Sequence, residues 1–156
     1  MSQEKETLSL LNPYAVFETP NGYGFVTESD TKYHLSFIQV PSDYPLFSFS
    51  IEREDRVDKV YPYDKRIKDT VIYVLQIFFE SEYNALLYTC DITEGLHYAR
   101  FKLFSIWYLE FKDTYYREDY CIGDIRSAVI TRRDNPLIKE IKQIFLDLQT
   151  ATTEEE

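Results

Sequence analysis

Apolar residues recur mostly at every second position over residues 32–40 and 46–53 of this chain, and later at every third or fourth. Residues 14–18 and 23–27 read as strands, joined through Thr19-Pro20-Asn21-Gly22, whose Asn-Gly pair favours a tight hairpin. A turn over 28–31 leads to a third strand, near 32–40, with Tyr33, Leu35 and Phe37 on one face. After a loop at 41–45, alternation resumes over 46–53 with Phe47, Phe49 and Ile51. Consecutive strands with short connections predict an antiparallel meander.

The period then changes. Asp64 is placed to cap a helix over 65–82, where Ile67, Val71, Val74, Leu75 and Phe78 form one stripe and Asp69, Gln76 and Glu80 face water. Residues 85–90 form a nearly unbroken apolar strand, the pattern of a strand covered on both faces. A second helix is predicted over 96–111. Two strands near 115–122 and 127–132 turn at Gly123-Asp124. Asp134-Asn135-Pro136 then supplies a capping side chain and an early proline for a last helix, with Leu137, Ile141, Ile144, Phe145 and Leu148 on one face. This pattern predicts a single α+β domain over 12–149, with a mostly antiparallel sheet, three flanking helices and flexible termini at 1–11 and 150–156.

Arg100 breaks the second helix's pattern. It falls amid the stripe of Leu96, Leu103, Trp107 and Phe111, and burying an unpaired guanidinium costs several kcal/mol, so a carboxylate or a ligand must meet it. Asp91, at the end of the apolar strand, is the nearest carboxylate candidate. An Asp91–Arg100 pair reads either as a clasp between strand and helix or as an anion pocket at the strand's C-terminal end.

Composition narrows the classes. The net charge of −10 disfavours general nucleic-acid binding, which needs clustered Lys and Arg. No apolar run reaches the ~20 residues that span a bilayer, and no signal peptide is evident. Cys90 and Cys121 fit a reducing compartment, so a cytoplasmic location is expected. Aromatic residues make up 17% of the chain, which points to a bulky core with tyrosine hydroxyls reaching the surface.

Little in the sequence carries recognisable chemistry. Cys90, with His97 seven residues on, is a weak candidate for a thiol–imidazole pair. Lys65 and Arg66, with Arg132 and Arg133, are weak candidates for an anion-binding rim. His34 and His97 are the only histidines, and their spacing to the thiols matches no metal site.

Two resemblances add to this reading. Asn12-Pro13-Tyr14, Leu87-Tyr88-Thr89-Cys90-Asp91, Gly95, Ala99-Arg100, Leu103-Phe104, Trp107 and Arg133-Asp134-Asn135-Pro136 together resemble a family of short uncharacterised proteins from Bacteroidetes. That resemblance implies relatives and no activity. The order of elements is similar to the core of the GNAT acetyltransferases. This likeness implies a glycine-containing loop at the start of the helix after strand four, whose amides hold the pyrophosphate of acetyl-CoA. Residues 63–69 contain no glycine here, and Asp64 and Asp69 oppose phosphate, while Lys65, Arg66 and Lys68 attract it. The expectation is therefore a non-catalytic binding or interaction domain with an unknown protein or small-molecule partner and no cofactor. A divergent GNAT-like acyltransferase using acetyl-CoA is the alternative.

Overall fold

The computed structural model describes residues 11–54, 64–91, 105 and 108–155. Its strands are β1 (Phe17–Thr19), β2 (Gly22–Val26), β3 (Lys32–Gln39), β4 (Leu46–Arg53), β5 (Ala85–Asp91), β6 (Tyr115–Ile122) and β7 (Ile125–Arg132). Its helices are α1 (Lys65–Phe78), between β4 and β5, and α2 (Ile138–Glu155), after β7. The strands form a mixed, mostly antiparallel sheet in the order β1-β2-β3-β4-β5-β7-β6. Its parallel step joins β4 to β5 through Leu46↔Ala85, Phe47↔Leu86 and Ser48↔Leu87. The α+β class and the opening meander match the sequence reading.

Two complete helices stand among the described residues, where three were predicted. The helix expected over 96–111 falls mainly on residues outside the described ones, although Ser105, Tyr108 and Leu109 near its end are helical.

The described residues group into two compact units: one holds those up to Ile38 together with those within Phe49–Glu80, the other Gln39–Ser48 and the described residues from Ser81 onward. In the first unit, Phe25, Leu35, Val71 and Val74 are fully buried. Each such side chain contributes roughly 1.5–3 kcal/mol relative to exposure. Stacked rings line this core: Phe25 on Tyr33 at 5.2 Å between centroids, and Phe37 on Phe78 at 4.6 Å. The register pairs Phe17 with Gly24, and a Cβ on Gly24 would lie 2.5 Å from the Phe17 ring, so the glycine lets that ring lie against the strand.

The first hairpin differs in detail from its prediction. Thr19 pairs with Gly22, so Pro20 and Asn21 form the loop and Gly22 opens β2. A Cβ on Gly22 would sit 2.0 Å from the Leu35 carbonyl oxygen; close backbone approach is what selects glycine there.

In the second unit, Leu46, Ala85, Val129, Ile141 and Phe145 form the core, with Leu137, Ile144 and Leu148 packed around it. The apolar stripe predicted for the last helix is the one that packs. Asn135 accepts the Leu137 amide proton at 2.9 Å and donates to Thr131 Oγ1 at 2.7 Å and to the Tyr83 carbonyl at 3.2 Å, fastening the start of α2. Gly123 opens the β6–β7 turn at φ 56°, the left-handed conformation a two-residue hairpin requires.

Candidate functional site

Several described polar side chains of the first unit that join distant segments meet at the start of α1. Asp64 is its N-cap, and its carboxylate accepts the Arg66 amide at 2.9 Å, as the sequence predicted. The same carboxylate accepts the Tyr14 hydroxyl. Tyr14 lies before β1 and not within it, and is only 7% exposed. Its ring stacks on Phe25 at 5.9 Å, and the Arg66 guanidinium lies over it at 3.9 Å from the centroid. A guanidinium over a ring that is shielded from water gains roughly 1–2 kcal/mol.

Arg66 also binds the strand-entry backbone. Its Nε donates to the Asn12 carbonyl at 3.1 Å, its Nη2 to the Pro13 carbonyl at 3.2 Å, and its Nη1 pairs with the exposed Glu28 at 3.1 Å. The rigid fork of donors explains why arginine is placed there, since a lysine offers one compact charge. The Tyr14 amide donates to Thr70 Oγ1 at 2.9 Å, and that hydroxyl donates to the Arg66 carbonyl at 2.6 Å. The Asn12 amide donates to Asp69 at 3.2 Å. Asp69 therefore does not face water as predicted; it is 4% exposed, because residues 12–14 lie across this turn of the helix. Burial first, then the bond to Asp64, pushes the Tyr14 phenol above its ordinary pKa.

A second polar cluster lies on β6 and β7 in the other unit. Arg117 holds Asp119 bidentately, with Nε at 3.0 Å and Nη2 at 2.8 Å from one oxygen, and donates to Ser105 Oγ at 2.8 Å. Its side chain is 8% exposed, so this carboxylate is what makes burial of the charge tolerable. Tyr116 donates to Glu118; burial and that bond push its phenol up to about 12. Tyr108 donates to the Tyr115 carbonyl at 3.0 Å, and burial raises its pKa against the pull of Arg133 and Arg117. At the far end of the hairpin, Arg126 donates to Cys121 Sγ beside an open cavity of about 190 Å³ lined by Asp119, Tyr120, Cys121, Arg126 and Ser127.

The residues singled out from the sequence fare differently. Arg66 lies over the Tyr14 ring and bonds to the Asn12 and Pro13 carbonyls and to Glu28. Lys65 is exposed on the first turn of α1. Arg133 donates to the Lys112 carbonyl at 2.9 Å, and Arg132 forms a bidentate pair with Asp134 that holds the carboxyl below its usual range. Of Cys90 and Asp91, the structure describes the backbone: they close β5, paired in register with Arg126 and Ile125. Arg100 and His97 lie outside the described residues, as does the proposed pair with Asp91. Among the described residues no three His, Cys, Asp or Glu side chains gather as a metal site. None of the described helices is long and apolar enough to cross a membrane.

The sequence reading missed Tyr14 and Thr70 as partners. The available signals were Asn12-Pro13-Tyr14 ahead of the first strand and a hydroxyl next to the apolar stripe of α1. The stretch from Tyr63 to Asp147, more than half of the chain, matches a family of unknown function, DUF6169, over residues 63–147. The chain belongs to this family. The DUF6169 match takes in α1 with its Asp64 cap, β5, the β6–β7 hairpin and the buried face of α2, and starts after the Asn12–Tyr14 segment. No curated protein and no solved structure matches the chain.

Proposed function

We propose that this DUF6169 protein is a non-catalytic binding or interaction domain that takes up a protein or small-molecule partner in the bacterial cytoplasm. One observation carries the reading. The amide end of α1, the place where a GNAT-like fold would hold the pyrophosphate of a CoA cofactor, carries the Asp64 carboxylate, which accepts from the Arg66 amide and from Tyr14. A carboxylate there already satisfies the helix's positive end and repels an incoming phosphate. Arg66, one of the cations on the first turn, is committed to Tyr14, Asn12, Pro13 and Glu28. The exposed free thiol of Cys121 accords with a reducing compartment.

A second reading, a divergent acyltransferase, rests on the strand order. A parallel β4–β5 step bridged by a helix within a mostly antiparallel sheet resembles the GNAT arrangement. Thermal unfolding with CoA and acetyl-CoA separates the two. A ligand at about 100 times its dissociation constant stabilises by about 2.7 kcal/mol, a rise of several degrees for a chain of this size. No rise with either compound is expected. A saturable rise would overturn the non-catalytic reading in favour of the acyltransferase, and its growth in Asp64→Asn, which keeps a good cap and removes the charge, would locate the phosphates at α1.

A further inference from the structure

We draw no further inference here: the strongest candidate, the open cavity at the end of the β6–β7 hairpin where Arg126 donates to Cys121 Sγ beside Asp119, Tyr120 and Ser127, rests on a lone exposed cysteine with no second observation that points to a ligand.

Discussion

Replacing Thr70 by valine tests whether the hydroxyl that joins residue 14 to α1 holds the N-terminal segment in place. Thr70 is fully buried, and its Oγ1 is the acceptor for the buried Tyr14 amide at 2.9 Å. Valine has nearly the same shape and the same branching at Cβ, so cavity and helix-propensity effects largely cancel. What remains is an amide with no acceptor, at about 1–3 kcal/mol. The Arg66 carbonyl loses only a supplementary donor, because a helix already gives it the amide four residues on. Serine at the same position keeps the oxygen and loses one buried methyl, about 1 kcal/mol. Urea unfolding followed by circular dichroism, with a slope of about 2 kcal/mol per M, should show a midpoint about 1 M lower for Thr70→Val if the cost is 2 kcal/mol. Hydrogen exchange makes the test local: the Tyr14 amide should lose protection in Thr70→Val and retain it in Thr70→Ser. If the Tyr14 amide stays equally protected in the valine variant and the midpoint does not move, the Thr70 hydroxyl does not anchor residues 12–14 to α1.

Further expectations concern other contacts. Arg66→Lys should cost about 1 kcal/mol and speed proteolytic cleavage ahead of Tyr14, because one ammonium cannot hold two carbonyls while lying over the ring; an unchanged cleavage rate would contradict this. Gly22→Ala should lower the melting temperature markedly, since its Cβ meets the Leu35 carbonyl, whereas Gly24→Ala should be milder because it meets the outer end of the partly exposed Phe17 ring; equal losses would refute the distinction. Stability should also fall in alkali. Tyr14, Tyr108 and Tyr116 have folded-state pKa values raised above 10.0, so the unfolded chain releases these protons first; their contribution is complete below pH 10 and is lost as pH rises through the folded values, about 12 for Tyr116. A melting temperature that stays flat from pH 9 to 12 would rule this out.

The local elements of this fold were legible because their causes are local. Asp64 and Asn135 cap helices through amides two residues away, and the stripe of Ile141, Phe145 and Leu148 follows from helical period alone. The meander followed from short connections. The parallel β4–β5 step and the placing of β7 between β5 and β6 were not legible, since alternation says that a strand exists and not which strand it pairs with. Asp69 was misplaced for a similar reason: the helix period put it outside the apolar stripe, while the segment that covers it lies 57 residues earlier. Tyr14 looked like the start of a strand, but its ring is claimed by Arg66 and Phe25, so β1 begins only at Phe17.

The bonds around Tyr14 also set an order of events. Asn12 reaches Asp69 across 57 positions, and the Tyr14 amide and hydroxyl reach Thr70 and Asp64 across 56 and 50. On a ribosome adding about 5–20 residues per second, residues 12–14 must wait roughly 3–10 s before any of these partners has been made. The strands of the first hairpin pair within a few residues of each other and need no such delay. Newly made chains would therefore hold a paired hairpin whose preceding residues are still unfastened, and the fastening of Tyr14 would mark the point at which α1 has arrived.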